Sequence, residues 1–389
     1  MSNSKWRGIS SLKVAWRRDS LLDSAIKDDK KYRICSRIVR EVVSQPNQCF
    51  PVRYLENRRE GLGLTSIHFK TFLTRYPTLF EIYNDRIVKP ITPSRPANTT
   101  NNSQAVPFVR PSKCLIKFLH EDRRIRSENQ ELIVAKLCKI LMMSKDKAIK
   151  IEKLENVKRE FGFPDDFMTS VVPSYPHYFR QSSSFLELAS WNQDFGKSVI
   201  ELRSEEEEKL TGIRMRPNFE YNLPSGCFLR MEMREWVRDW LELPYISPYS
   251  DTSLLEPGSV EMEKRMVAVL HEFLSLVMLR RAPIPSVGKF KEEYLLSNEF
   301  GNAFSRHPGI FYVSLKGGIK TAVLREAYRD GALVDREPLL EINDKFVEIV
   351  EEGHQRWLEQ MKIKAEAHRN KEKEMMLSNS KLQKSTMTS

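Results

Sequence analysis

Residues able to do chemistry are present in this chain, but their spacing is wrong for it. Seven histidines (His68, His120, His177, His271, His307, His354, His368) form no His-x-x-x-His pair and no short Cys–His spacing, so no zinc site is signalled. Five cysteines (Cys35, Cys49, Cys114, Cys138, Cys227) are scattered without a Cys-x-x-Cys pair. An odd, irregular set argues against a secreted disulfide framework and reads as isolated thiols. Gly61-Leu62-Gly63 lacks the third glycine and the preceding strand of a phosphate loop, and no Gly-x-Ser-x-Gly elbow occurs. A thiol hydrolase assembled from distant Cys and His has no local signature either. The expectation is a protein with no catalytic residue, no metal, no cofactor and no small-molecule substrate.

Binding chemistry is better represented. Lys and Arg outnumber Asp and Glu by 63 to 52, giving +11 and a pI near 9.3, which favours a polyanionic partner. Arg123, Arg124 and Arg126 cluster at an expected helix start. On the expected helix 229–243, Arg230, Arg234 and Arg238 recur every fourth residue and so line one face. Glu232, Glu235, Asp239 and Glu242 share that helix, so a salt-bridged surface helix is the favoured account of it. Trp236 and Trp240 stand at core spacing. The stretch 306–329 carries five basic residues (Arg306, Lys316, Lys320, Arg325, Arg329) against the single acid Glu326. A glycine-tipped hairpin bearing Lys316 and Lys320 could approach a phosphate backbone, with Tyr312 stacking on a base. A lysine-protected edge strand is the competing account.

The elements that must position these residues repeat. RYPTLFEIY (from Arg75), SYPHYFRQS (from Ser174) and RHPGIFYVS (from Arg306) share an aromatic ring or imidazole, a proline, two variable residues and phenylalanine. The matched sets are Tyr76, Pro77, Phe80; Tyr175, Pro176, Phe179; and His307, Pro308, Phe311. The tripeptide LEN begins at Leu55 and Leu154, each 22 positions before its proline, and is missing from the third copy. Upstream of each proline the apolar period is helical; the proline ends the helix because it has no N–H and biases its predecessor away from helical backbone. Downstream the period is two, predicting hairpins around Asn84-Asp85, Ser182–Ser184 and Lys316-Gly317-Gly318. Helix, helix, helix, hairpin is the order of a winged helix-turn-helix unit.

The expected fold is therefore α+β and predominantly helical, with three tandem winged-helix-like units. They are preceded by a basic extension (1–16) and occupy 17–91, 113–203 and 259–353. Between them lie a Pro/Asn/Ser/Thr-rich linker (92–112) and a segment with an acidic run, a Trp-bearing helix and a Pro-rich loop (204–258). A charged helix and disordered tail (354–389) follows. The first 18 residues hold five basic residues and no acid, which fits an organelle transit peptide or an ordinary basic N-terminus. No run of apolar residues is long enough to span a membrane, so no insertion is expected.

The stretches WRRDSLLDSAI, TRYPTLFEIY, FGFPDDF, YPHYFR, LELASWN, RPNFEYNLPSGCF, LPYISPY, FSRHPGIFYVSLKGG, LREAY and LLEINDKFVEIVEEG occur in this order. Together, from about Trp16 to Gly353, the chain resembles the plant organelle RNA recognition (PORR) family. The resemblance implies a nuclear-encoded protein, imported into mitochondria or alternatively chloroplasts. It also implies binding of organellar intron RNA, promotion of group II intron splicing, other splicing factors as partners, and no known catalytic centre. Two other readings stay open on the residues: an organellar DNA-binding or termination-like factor, and a non-catalytic scaffold.

Overall fold

The computed structural model describes residues 17–86, 105–223, 228–253 and 255–386. The basic extension 1–16, linker residues 92–104 and the last three residues of the expected tail lie outside the described residues. The chain is mainly helical with small antiparallel sheets. Its first stretch runs α1 (Ser20–Val43), β1 (Phe50–Pro51), α2 (Val52–Asn57), α3 (Phe69–Arg75), β2 (Phe80–Arg86), β3 (Ala105–Pro111) and α4 (Lys113–Glu128). The second runs α5 (Gln130–Met143), β4 (Ala148–Lys150), α6 (Ile151–Phe161), α7 (Phe167–Ser170), β5 (Phe179–Gln181) and β6 (Phe185–Leu188). After α8 (Val199–Thr211) and α9 (Met231–Glu242) comes the third: α10 (Val260–Leu276), β7 (Arg281–Pro283), α11 (Ile284–Gly288), α12 (Phe300–Arg306), β8 (Phe311–Ser314) and β9 (Thr321–Leu324). The chain closes with β10 (Tyr328–Arg329), β11 (Ala332–Leu333) and α13 (Leu340–Thr386).

Three copies of one module are superimposed in register on this list. Each sheet has its middle strand last in sequence: β1-β3-β2, β4-β6-β5 and β7-β9-β8. Ahead of each first strand stands a left-handed residue, Gln48, Lys147 or Arg280, with φ of 50, 54 and 49°. Each closes a turn by donating its N–H to the carbonyl three residues back, on Gln45, Ser144 or Val277. Three residues on, Pro51, Lys150 and Pro283 open the next helix with φ/ψ of −62/137, −60/130 and −58/129°. Leu55, Leu154 and Val287 are then buried at matching positions. The third copy therefore keeps the position whose LEN signature it lost: valine fills the place of leucine.

A second left-handed residue ends that stretch in every copy, at Gly63, Gly162 and Leu295, twelve positions after the helix-opening residue. Glycine suits such a φ, and Leu295 is the exception that hid the match. The proline then follows 26, 26 and 25 positions after the helix-opening residue, so the third copy is one residue shorter between Leu295 and Pro308. Tyr76, Tyr175 and His307 adopt φ/ψ of −125/67, −128/58 and −110/64°. Their carbonyls accept from the N–H of Phe80, Phe179 and Phe311 at 3.1, 3.1 and 2.9 Å. Each phenylalanine is the buried first residue of its strand. The module is a helix stop, a proline turn and a strand start fused into one repeated joint.

Two expectations are corrected. Asn84 and Asp85 turn no hairpin; β2 runs through them and pairs with β3, so Asn84 faces Pro107 and Asp85 faces Val106. β2 is an edge strand, where polar residues are tolerated, and its partner comes from the end of the expected linker. The linker thus gives up 105–111 to the first module. Helix was expected upstream of Pro176 as of the other two prolines, but there only α7 and a 3₁₀ turn at Val172–Ser174 form, because Pro173 interrupts the ladder.

Contacts divide the chain into two compact units. The unit of residues 30–123 and 341–389 holds the first module, with a core of Cys35, Ile38, Val42, Leu55, Phe69, Leu73, Phe80, Val109 and Leu115 closed by Val350 of α13. From residue 359 to 376, α13 is exposed. The unit of residues 1–29 and 124–340 holds the second and third modules. There α5, rich in Ile, Leu and Met, is buried along most of its length, and Phe161 meets Phe273 edge-on at 5.1 Å.

Candidate nucleic-acid interface

The third hairpin is built on two strands whose four residues each are buried, β8 and β9. They pair from Phe311 opposite Leu324 to Ser314 opposite Thr321, leaving Leu315–Lys320 as the tip. A 3₁₀ turn at Lys316–Gly318 reverses the chain, and Gly318 takes φ 86°, which a side chain rarely adopts. Lys316 and Lys320 are exposed.

Beneath the tip lies Asp23, brought from the first turn of α1 by Leu22 and Ile26, which pack against Tyr312 and Val323. Its Oδ1 accepts from the Ser314 hydroxyl at 2.6 Å and the Tyr312 hydroxyl at 2.9 Å; its Oδ2 accepts from Arg18 Nε at 3.0 Å. Burial alone would raise the carboxyl's pKa, but those two hydroxyls and the Arg18 guanidinium outweigh it and hold the pKa below its ordinary value. Asp23 is an anion kept inside the protein.

That arrangement removes three residues from the expected contact set. Tyr312 is only 3% exposed and its hydroxyl is engaged, so its ring offers no face to a base. Arg325 lies over that ring and donates to the Pro308 carbonyl at 2.8 Å and to Asp19 at 3.4 Å. Arg306 pairs with Glu263 at 2.9 Å, where both are largely covered. Lys316, Lys320 and Arg329 remain at the surface.

The other expected cations are distributed differently. Arg123, Arg124 and Arg126 sit near the end of α4 rather than at a helix start, a position that suits positive charge. Arg123 is exposed; Arg124 pairs with Glu128 at 2.7 Å, and Arg126 donates to the carbonyl of Gly162. Arg230, Arg234 and Arg238 are exposed at the start and along one side of α9, while Trp236 and Trp240 are buried on the other. The Trp240 ring centre is 4.3 Å from that of His307, so the tryptophans belong to the core.

Sequence reasoning missed a polar cleft of 1230 Å³ between α8, the start of α1 and the β9–β11 segment. On its wall Arg203 donates to Glu326 at 2.7 Å and Glu220 at 3.0 Å, and Glu326 also meets His271 Nε2 at 3.0 Å. Burial opposes ionisation of Glu326, yet His271 and Arg203 override it and bring its pKa down to about 2. Asp23 was missed as well, although an acid beside Leu22 and Ile26, four apart on one helical stripe, is the signal of a buried, partnered carboxylate.

Burial pushes the thiols of Cys35 and Cys138 up to about 12, far from a nucleophile's range. Among the described residues no cluster of His, Cys, Asp and Glu is placed to hold a metal ion, and no helix is long and apolar enough to cross a membrane.

The described residues thus form a helical chain of repeated sheet-bearing modules with a cationic, acid-free hairpin tip. The chain belongs to the family of the plant organelle RNA recognition domain, whose model matches residues 17–355. It is 33% identical over 349 residues to "Protein WHAT'S THIS FACTOR 1 homolog, chloroplastic" of Arabidopsis thaliana, covering 87% of this chain and 63% of that protein. Identity to the Arabidopsis thaliana "Protein WHAT'S THIS FACTOR 9, mitochondrial" is 28% over 344 residues, covering 87% and 84% of the two chains. To "Protein ROOT PRIMORDIUM DEFECTIVE 1", also of Arabidopsis thaliana, it is 29% over 352 residues, covering 86% and 82%. The chain thus spans less than two thirds of the length of the first of these relatives. Chloroplastic and mitochondrial names both occur among them, which supports an organellar location. No solved structure matches the chain significantly.

Proposed function

We propose that this chain is a non-catalytic RNA-binding protein that promotes splicing of group II introns in a plant organelle, the mitochondrion before the chloroplast. Its three modules act as winged-helix-like units, the first extending to Pro111, the others spanning 113–203 and 259–353. The observation that carries the reading is the family match across 17–355. The order of helices and strands in each module and the lysine-bearing third tip support it.

Physically, a group II intron is a folded polyanion whose active arrangement competes with misfolded ones. A protein that binds one arrangement more tightly shifts the population toward it without chemistry of its own. The intron supplies the reaction and its metal ions; the protein supplies cationic surface at Lys316, Lys320, Arg123, Arg234 and Arg238. Other splicing factors are partners of the assembled transcript.

The test is competition between intron RNA and duplex DNA of equal length for the full chain, titrated with salt. Preference for the RNA supports the proposal. Preference for duplex DNA overturns it in favour of a DNA-binding factor, and weak, indifferent binding to both leaves a scaffold.

A further inference from the structure

We infer that the Leu315–Lys320 tip is an apolar wedge that enters between stacked bases of a folded RNA, with Lys316 and Lys320 holding the flanking phosphates. The inference rests on the RNA-binding reading above and sharpens it to one element and one structural feature of the RNA. It begins from a contrast within the hairpin. All residues of β8 and β9 are buried, yet at the tip Leu315 is 53% and Ile319 51% exposed. A solvated turn has no use for two aliphatic side chains, and neither adds to the core.

Charge selects the occupant. From Ser314 to Thr321 the chain carries two lysines and no acid. The carboxylate beneath, Asp23, is turned inward and neutralised by Arg18. The tip therefore presents leucine and isoleucine alternating with uncompensated ammonium groups. A partner that fits must offer apolar, separable faces beside negative charge, which is what a base step between two phosphates provides. Leucine and isoleucine are side chains of the kind that unstack such steps, and separating one costs about a few kcal/mol.

The tip is also braced for insertion. The Lys316 N–H donates to Ser314 Oγ at 3.2 Å, and Thr321 Oγ1 donates to the Ile319 carbonyl at 3.2 Å. A loop already held in place loses little conformational freedom on binding, so more of the contact energy remains for opening the step.

The experiment uses the full chain and a bulged stem-loop RNA carrying 2-aminopurine beside the bulge. Anisotropy reports binding, and 2-aminopurine fluorescence reports unstacking. Wild type is expected to bind with a rise in fluorescence. Leu315→Ser with Ile319→Ser keeps thermal stability and binding but loses the rise, whereas Lys316→Glu with Lys320→Glu weakens binding itself. A rise unchanged in the serine variant, or binding without any rise in wild type, overturns the wedge and leaves the RNA reading intact. Flat anisotropy with this probe and with total organellar RNA overturns both. If the serine variant instead loses binding to phosphatidylcholine–cardiolipin vesicles while its RNA signals are unchanged, the tip contacts a membrane surface and the wedge is wrong.

Discussion

The backbone N–H of Lys145 donates to the carbonyl of Glu293 at 2.8 Å, and the N–H of Met278 donates to the carbonyl of Glu160 at the same distance. Lys145 and Met278 occupy one register position in the second and third modules, and Glu160 and Glu293 occupy another. The two modules therefore clasp each other through a reciprocal pair of bonds, as two copies related by an approximate twofold axis must. The first module carries Pro46 at the donor position and has no N–H to give.

That proline shows how to test the clasp. Lys145 is the second residue of the turn closed by Lys147 on Ser144, a place where proline's φ fits, and Ser144 has the extended backbone (φ −72°, ψ 146°) that a residue before proline prefers. Lys145→Pro should then delete one hydrogen bond without distorting the turn. The expected loss is about 1–3 kcal/mol, read by denaturant unfolding as a lower midpoint with an unchanged slope. Stability equal to wild type would show that the reciprocal bonds contribute nothing.

The repeated phenylalanines make a second prediction. Phe80, Phe179 and Phe311 are 3, 4 and 1% exposed, and Phe311 meets Phe304 edge-on at 5.0 Å. Truncating any one to alanine leaves a cavity at the joint between helix and strand. Each should destabilise its unit by about 3–5 kcal/mol in equilibrium unfolding. A loss below about 1 kcal/mol would mean the ring is not what fixes the hairpin.

How far these joints could be read in advance depended on which residues carried them. The proline and phenylalanine were legible because their backbone and packing roles demand one residue type. The left-handed positions were half legible: Gly63 and Gly162 mark two copies, but Leu295 masks the third. LEN failed at Val287 because burial needs only an aliphatic of suitable size. Strand β3 was hidden because pairing across a long connection leaves no turn signature beside Asn84. For the candidate interface, charge located Lys316 and Lys320. It could not separate them from Arg306 and Arg325, whose partners Glu263 and Asp19 lie far off in sequence.

Glu326 gives the pH dependence. Its folded pKa of about 2 lies below the ordinary 4.5, so its pairing with His271 and Arg203 stabilises the fold fully above pH 4.5. That contribution fades as the pH falls from 4.5 toward 2 and the carboxylate protonates. Its size is about 3 kcal/mol at neutral pH. Glu326→Gln should therefore lower thermal stability at pH 7, with the gap to wild type closing across the acid window. A gap constant with pH would show that the charge of Glu326 is not what stabilises the cleft wall.

Tyr312 and the tip lysines stand within a few residues of each other but should separate stability from binding. Tyr312→Phe leaves the ring packed and removes one donor from the buried Asp23 carboxylate. It should cost about 1–3 kcal/mol of stability and leave RNA affinity unchanged, because the ring has no exposed face. Lys316→Glu with Lys320→Glu touches no buried group and should leave the unfolding midpoint alone. Affinity should fall, and the slope of log affinity against log salt should shrink by roughly 1.5, two phosphate contacts having been lost. The two variants measured side by side thus form a crossed comparison. Loss of RNA affinity in Tyr312→Phe at full folding would show that the Tyr312 hydroxyl takes part in binding, and an unchanged salt slope in the lysine reversal would move the interface off this hairpin.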